Sequence, residues 1–287
     1  MDIQTIAILG SGQMGAGIAQ VAAQAGCTVY LYDVSPKALE KAQAGINKSL
    51  QRLADKGKIS QEDHEAALAR IKTTGELAQI ADSDLVIEAI VENLSVKRSL
   101  WQEVDHVCSS DAIFASNTSS LAITELANFV SRPERFIGMH FFNPVPMMSL
   151  VEVIDGLQTA DTTHEAVMVL AKKLGKTPVA LKDSPGFVVN RLLIPMINEA
   201  FFILHEGAAA PDAIDTAMKL GANHPMGPLA LADFIGLDTI LAIMEVLYRD
   251  LGEPKYRPCP LLRKYVQAGK LGKKSGAGVY DYAPVAK

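Results

Sequence analysis

The stretch that decides the fold is "TIAILGSGQMGAGIAQVAAQAGCTVYLYD", residues 5–33. It opens with a short apolar run, Thr5–Leu9, which is typical of a parallel strand buried on both faces. A glycine-rich turn follows, and then a helical run, Ala16–Gln24, that a glycine ends. A second strand is predicted over Thr28–Tyr32. Strand, turn, helix and strand in this order predict a βαβ unit.

The turn of this unit fits the pattern G-x-G-x-x-G. Its glycines permit a tight turn, close approach of a pyrophosphate and close packing of helix on strand, in that order. Asp33 lies 18 residues past the last glycine, where a carboxylate can accept from a ribose 2′-hydroxyl. A carboxylate there repels a 2′-phosphate, so NAD is the expected cofactor rather than NADP. The cofactor-binding residues predicted in the turn are Gly10, Gly12, Gln13, Met14 and Gly15.

Composition narrows the class of protein. A chain of 287 residues with 49% hydrophobic residues is expected to form two domains with sizeable cores. The net charge of −5 argues against nucleic acid as the main partner. Three widely spaced cysteines fit neither disulfides nor a metal site, which favours a reducing, cytoplasmic compartment. We expect no signal peptide, because the sequence runs from its N-terminus straight into a predicted strand. We expect no membrane span, because the most apolar long stretch, 187–204, contains several polar and charged residues.

Residues Pro36–Lys56 predict an amphipathic helix, followed by a more acidic helix over Gln61–Ile71. The apolar face of the first helix comprises Leu39, Ala42, Ile46, Leu50 and Leu53. Another face carries Lys37, Lys41, Lys48, Arg52 and Lys56. A solvated surface is the simplest interpretation of these cations. A phosphate-rich ligand such as coenzyme A is the alternative, and it needs support from the rest of the chain.

Polar residues follow two further predicted strands, Asp84–Ala89 and Ile113–Ala115. Glu92 and Lys97 come after the first strand, and the cluster "SNTSS", residues 116–120, directly follows the second. Ligands bind at the carboxyl ends of strands in open parallel sheets, so both groups are candidates for a binding site. A helix N-cap is the alternative for the cluster, but a cap needs only one hydroxyl.

A histidine and a glutamate lie on a predicted antiparallel hairpin, Phe136–Phe142 and Leu150–Ile154, joined by "NPVPMM". His140 can face Glu152 across the pair, and a carboxylate in that position fixes the imidazole tautomer and stabilises the imidazolium. A buried histidine bonded to backbone is the commoner case. Because His140 alone among the six histidines is expected at a sheet edge facing the cofactor cleft, we predict a catalytic acid/base.

The second half of the chain is predicted to be helical. The predicted helices are Pro185–Gly207, with a kink at Pro195, then Ala213–Leu220, Pro228–Leu251 and Leu261–Ala268. A boundary near Lys182–Pro185 gives domains 1–184 and 185–287, with the catalytic cleft expected between them. The apolar helices exceed the needs of one small core, so a homodimer is expected through the second domain.

Six motifs in this order, GSGQMG, IVEN, SNTSSL, HFFNPVP, LVEV and KDSPGFVVNRLL, resemble the L-3-hydroxyacyl-CoA dehydrogenase family. The resemblance is to its short single-function form, the 3-hydroxybutyryl-CoA dehydrogenase type, and it covers nearly the whole chain. It implies an α/β fold, with an N-terminal Rossmann-type, mostly parallel sheet domain that binds NAD. A second, all-helical C-terminal domain would serve substrate binding and dimerisation.

The resemblance also implies a reaction and residue roles. The reaction is hydride transfer between NAD and C3 of a short-chain 3-hydroxyacyl-CoA such as 3-hydroxybutyryl-CoA. His140 would be the general acid/base, oriented by Glu152, with Ser119 and Asn190 at the substrate oxygens. The cofactor residues that it adds are Glu92, Lys97, Asn117 and Asn143. Those that it implies for coenzyme A are Ser119, Lys48, Arg52 and Lys56.

Two alternatives stay open at this level. A related β-hydroxyacid or sugar-acid dehydrogenase shares the glycine pattern but need not bind coenzyme A. A non-catalytic NAD-binding protein could keep the fold, although the complete set of catalytic candidates argues against it.

Overall fold

The first of two structural units is built on an eight-stranded sheet. In the computed structural model, which describes residues 2–282, the chain divides into Met1–Ser184 and Pro185–Lys287. The strands are β1 Thr5–Leu9, β2 Thr28–Tyr32, β3 Ile71–Thr74, β4 Leu85–Glu88, β5 Ile113–Ser116, β6 Phe136–Phe141, β7 Leu150–Asp155 and β8 Thr177–Lys182. Their order is β3-β2-β1-β4-β5-β6-β7-β8. All neighbours pair in parallel except β6 and β7, which pair antiparallel. The predicted Rossmann-type sheet is confirmed.

Helices cover this sheet. They are α1 Gln13–Gln24, α2 Pro36–Asp55, α3 Gln61–Ala69, α4 Leu94–Val107, α5 Ile123–Ala127 and α6 Asp161–Lys173. Helix α1 begins three residues earlier than predicted, so the last residues of the glycine pattern form its first turn. Helix α2 has the predicted faces, although Leu53 is only half-buried. Ser35 accepts from the backbone N–H of Ala38 at 3.3 Å and caps α2.

Two strands were not predicted, and one placement was wrong. Helix α3 ends at Ala69, and β3 starts at Ile71 within what was expected to be the end of the helix. Strand β8 has no strong apolar pattern because most of its side chains are exposed at the sheet's edge. Because β6 pairs with β5 on one side and with β7 on the other, His140 lies on an interior strand and not at a sheet edge.

The second unit is helical, as predicted. Its helices are α7 Val189–His205, α8 Pro211–Gly221, α9 Pro228–Ile235, α10 Leu237–Leu251 and α11 Pro260–Gln267. Pro195 lies inside α7, which begins four residues later than expected. The single helix predicted over Pro228–Leu251 is two helices, because Gly236 has φ +107° and interrupts the helical backbone between them. The helices enclose a core of their own, separate from that of the sheet.

The close approach of α1 to the glycine turn gives a stability prediction. A Cβ on Gly15 would lie 1.8 Å from the carbonyl oxygen of Gly10. Gly15→Ala therefore forces α1 away from β1, and we expect it to lower the free energy of unfolding by about 3 kcal/mol. Urea denaturation followed by circular dichroism measures the change.

A matched substitution separates this clash from a general effect of alanine. Gly45 lies inside α2, and a Cβ there would meet nothing within 4 Å. Gly45→Ala should stabilise the protein by up to about 1 kcal/mol, through helix propensity alone. Equal effects of the two substitutions would contradict the predicted clash.

Candidate active site

His140 and Glu152 form a buried pair across β6 and β7. They are direct partners in the antiparallel register, and His140 Nδ1 lies 2.7 Å from Glu152 Oε2. The two residues are 6% and 1% exposed. An ionised carboxylate can only accept, so Nδ1 carries the proton and Nε2 is the nitrogen able to exchange one. The ring of Phe142 packs 4.5 Å from the imidazole, centre to centre. The arrangement suits a general acid/base.

The turn that joins β6 to β7 is held from two sides. Asn143 Oδ1 accepts from Gln13 Nε2 at 2.7 Å, which links the turn to the start of α1. On the other side, Lys176 Nζ donates to the carbonyl oxygens of Val145 at 2.5 Å and Met148 at 2.8 Å. Burial lowers the pKa of Lys176. Sequence reasoning missed this lysine, because nothing in its local pattern distinguishes it from a solvated one.

A buried ion pair lies where β4 ends. Lys97, 1% exposed, has its Nζ 2.5 Å from Glu88 Oε1 and 3.1 Å from Glu92 Oε2. Glu88 is fully buried and also accepts from the backbone N–H of Ile90 at 2.8 Å and the hydroxyl of Ser116 at 2.7 Å. Glu92 and Lys97 were singled out from the sequence, but Glu88 was not. Its signal was a glutamate inside the otherwise apolar strand "LVIE".

Glu92 also organises the polar loop after β5. Its Oε1 accepts from the Thr118 hydroxyl, from the backbone N–H groups of Ser119 at 3.0 Å and Ser120 at 3.1 Å, and from the Ser120 hydroxyl at 3.0 Å. Burial raises the pKa of Glu92, but the Lys97 ammonium and these donors outweigh it, so the pKa lies below its usual value. Several hydroxyl and N–H groups of this polar loop therefore donate to Glu92.

The neighbouring amide, Asn117, is bonded to β6, the strand that carries His140. Its side-chain oxygen accepts from the backbone N–H of Phe141 at 2.8 Å, one residue past His140. Its own backbone N–H donates to the carbonyl oxygen of Glu88 at 2.8 Å. Asn117 thus links the buried ion pair of β4 to the end of β6.

The dinucleotide end of the site matches the glycine pattern. Gly12 is the N-cap of α1, and a Cβ there would meet nothing within 4 Å, so the space beside its backbone can admit a phosphate. Gln13 and Met14 begin the helix, while Gly10 has φ +97°. A mainly apolar cleft of about 570 Å³ extends from Gly10 past Asp33 and suits an adenosine. These residues fit NAD.

The remaining predicted residues lie on α2, on α7 and in the loop after β5. Lys48 and Arg52 are exposed on α2 and line a shallow surface groove, and Lys56 is the C-cap of the same helix. Asn190 is half-buried in the first turn of α7, in the second unit. Ser119 lies in the loop that Glu92 holds.

Comparison with known proteins identifies the family. The model of the 3-hydroxyacyl-CoA dehydrogenase NAD binding domain matches residues 5–184, and that of its C-terminal domain matches residues 186–282. The chain belongs to the 3-hydroxyacyl-CoA dehydrogenase family. The predicted resemblance, the NAD cofactor and the assignment as an NAD-dependent dehydrogenase are confirmed. No helix within residues 2–282 has the length and apolar character to cross a membrane.

Individual family members match along nearly their full length. A probable 3-hydroxybutyryl-CoA dehydrogenase of Bacillus subtilis is 57% identical over 98% of each chain. The human mitochondrial hydroxyacyl-coenzyme A dehydrogenase is 47% identical over 98% of this chain and 91% of its own. The crystal structure of (S)-3-hydroxybutyryl-CoA dehydrogenase from Ralstonia eutropha superposes with a TM-score of 0.97 at 55% identity, covering 99% of this chain and 100% of that one.

The buried ion pair gives a prediction for stability. Lys97→Met removes the positive charge between two carboxylates and leaves Glu88 fully buried without its counter-ion. We expect a loss of about 3–5 kcal/mol in the free energy of unfolding. Urea denaturation of the variant and of the parent protein measures the loss.

An exposed pair of the same length provides the comparison. Arg263 and Glu245 also lie 2.5 Å apart, but their side chains are 43% and 48% exposed. Arg263→Met should cost about 0–1 kcal/mol, since solvent screens the pair. If Lys97→Met cost no more than this, burial would not be what makes the Lys97 contact strong.

Proposed function

We propose that the protein transfers a hydride reversibly between NAD(H) and C3 of short-chain (S)-3-hydroxyacyl-CoA and 3-ketoacyl-CoA. The proposed preferred pair is 3-hydroxybutyryl-CoA and acetoacetyl-CoA. The observation that carries the proposal is the buried, hydrogen-bonded His140–Glu152 pair in a chain of this family. The names of the relatives from Bacillus subtilis and Ralstonia eutropha support the short chain length.

His140 performs the proton transfer in this proposal. During oxidation its Nε2 takes the proton of the 3-hydroxyl, and during reduction the imidazolium returns a proton to the same oxygen. Glu152 accepts from Nδ1–H, so it holds the ring in the reactive tautomer and stabilises the positive charge that forms on it. NAD, when bound, accepts or supplies the hydride.

Other residues bind and orient. Ser119 and Asn190 are proposed to hold the substrate oxygens on which negative charge develops. The nicotinamide side of the cofactor is proposed to contact Glu92 and Lys97, with Asn117 nearby. Asn143 is proposed to help shape the cofactor site beside His140. The phosphates of coenzyme A are proposed to be attracted by Lys48, Arg52 and Lys56, which gives the cationic face of α2 a function beyond solvation.

Replacing Lys48, Arg52 and Lys56 with glutamine should raise the KM for acyl-CoA and leave the KM for NADH unchanged.

We also propose a cytoplasmic homodimer formed through the second unit. Large apolar side chains of that unit are exposed, with Leu220 82%, Leu192 71% and Phe234 57% exposed. All three cysteines are buried free thiols, as suits a reducing compartment. A light-scattering mass of a single 30.8 kDa chain would contradict the dimer, and recovery outside the cytosolic fraction would contradict the location.

Steady-state kinetics with a series of 3-ketoacyl-CoA substrates tests the activity. NADH oxidation should be fastest, judged by kcat/KM, with acetoacetyl-CoA and should fall as the acyl chain lengthens. Free acetoacetate should be a poor substrate. Equal turnover of free acetoacetate would favour the dehydrogenase that does not need coenzyme A, and a complete lack of turnover would favour the non-catalytic protein.

The acid/base role predicts the effect of His140→Gln. The substitution should lower kcat by about 10²–10⁴-fold, because glutamine cannot exchange the proton. The dissociation constant for NADH, measured by fluorescence titration, should stay nearly unchanged.

A second histidine–carboxylate pair serves as the matched control. His164 Nδ1 lies 2.7 Å from Asp155 Oδ1, the same distance as in the catalytic pair. His164→Gln should leave kcat within about a factor of two, since the proposal gives this pair no proton to transfer. Normal turnover of His140→Gln would remove the proposed role.

A further inference from the structure

Ser11, the residue between the first two glycines of the turn, contacts the carboxylate expected to bind the ribose. We infer that Ser11 is a positioning residue that fixes Asp33 and thereby strengthens the preference for NAD(H) over NADP(H). The inference rests on the proposed function, since it concerns the cofactor of that reaction. The pattern G-x-G-x-x-G accepts any residue at position 11, so the pattern itself does not require a serine there.

The geometry pins the Asp33 carboxylate at both oxygens. Oδ2 accepts from the backbone N–H of Ser11 at 2.8 Å and from its hydroxyl at 2.7 Å, and Oδ1 accepts from the backbone N–H of Ser35 at 2.9 Å. Ser11 is only 5% exposed. A carboxylate has about four lone-pair positions, so three are taken and one remains, on Oδ1. That position can accept from one ribose hydroxyl.

A carboxylate held in one orientation by hydrogen bonds also disfavours the binding of a cofactor that carries a 2′-phosphate. Free to rotate, an aspartate could turn its charge away from a phosphate, but the two bonds from Ser11 and the one from Ser35 prevent this. Among the described residues, the cleft that contains Asp33 is lined by one other carboxylate, Glu103, and by no lysine or arginine. The repulsion of a phosphate carrying up to about two negative charges is therefore uncompensated in this cleft.

The ionisation of Asp33 follows from the same contacts. Burial raises its pKa, but the bonds from the Ser11 backbone, the Ser35 backbone and the Ser11 hydroxyl outweigh burial, so the pKa lies below its usual value. Two other titratable groups, Tyr32 and Glu103, line the same cleft as Asp33. Lys41 lines a second, neighbouring cleft, to which Ser11 also contributes. Removing the hydroxyl should raise the pKa of Asp33.

The test is Ser11→Ala, assayed with acetoacetyl-CoA and either NADH or NADPH. The ratio of kcat/KM for NADH to that for NADPH should fall about three- to tenfold, the size expected for the loss of one typical hydrogen bond while the backbone N–H groups of Ser11 and Ser35 still hold the carboxylate. On acidification, binding of NADH is lost as Asp33 gains a proton. Because the pKa is higher in the variant, its KM for NADH should begin to rise at a higher pH than in the parent protein.

Ser131→Ala is the matched control. Ser131 also donates to one carboxylate through its backbone N–H, at 2.8 Å, and through its hydroxyl, at 3.0 Å, but that carboxylate is Asp105 at the far end of α4. For Ser131→Ala, the NADH-to-NADPH ratio of kcat/KM and the pH at which the KM for NADH begins to rise should both match those of the parent protein.

The outcomes separate the inference from the proposed function. The inference would be wrong if Ser11→Ala kept the parent protein's NADH-to-NADPH ratio of kcat/KM and the pH at which its KM for NADH begins to rise. It would also be wrong if Ser131→Ala changed both quantities equally. If the parent protein showed no turnover with acetoacetyl-CoA, the proposed function would fail. Fluorescence titrations of NADH and NADPH across pH would then still decide the role of Ser11, because they need no turnover.

Discussion

The antiparallel pairing of β6 with β7 is the constraint on which the site depends. It sets His140 directly opposite Glu152, and a shift of one residue would turn the two side chains to opposite faces of the sheet. Contacts from outside the hairpin hold its register. Asn117 accepts from the N–H of Phe141, and Lys176 bonds two carbonyl oxygens of the connecting turn. A Cβ on Gly138 would lie 2.8 Å from Ile123, so α5 also packs tightly against this strand.

Three carboxylates, two of them buried and Asp33 half-buried, lie where the proposed site needs fixed positions, and each accepts from different donors. Glu152 is paired with an imidazole, Glu88 with an ammonium, a hydroxyl and a backbone N–H, and Asp33 with two backbone N–H groups and a hydroxyl. A carboxylate left without donors at such depth would take up a proton or destabilise the fold. The donors therefore offset the cost of removing each carboxylate from water.

Local signals made the first βαβ unit predictable from sequence, and tertiary context limited the rest. The bounds of β1 and β2 agree with those expected, because apolar runs and glycines mark them within a few residues. Strand β8 was not predicted because an edge strand need not be apolar. The break at Gly236 was not predicted because one glycine in an apolar run does not show whether a helix continues. Glu88 carried a sequence signal, a glutamate in an apolar strand, but its pairing with Lys97, nine residues away, is given by the structure.

The loop after β5 shows how one carboxylate prepares a site for a ligand. Glu92 takes four hydrogen bonds from this loop while its other oxygen faces Lys97. The loop backbone is therefore ordered by the protein itself, so a substrate bound beside Ser119 would not have to supply the free energy of ordering it. Glu92 in turn depends on Lys97, whose burial depends on Glu88. Glu88, the fully buried glutamate of β4, thus supports both the proposed cofactor contacts and the loop proposed to bind the substrate, without being required to touch either ligand.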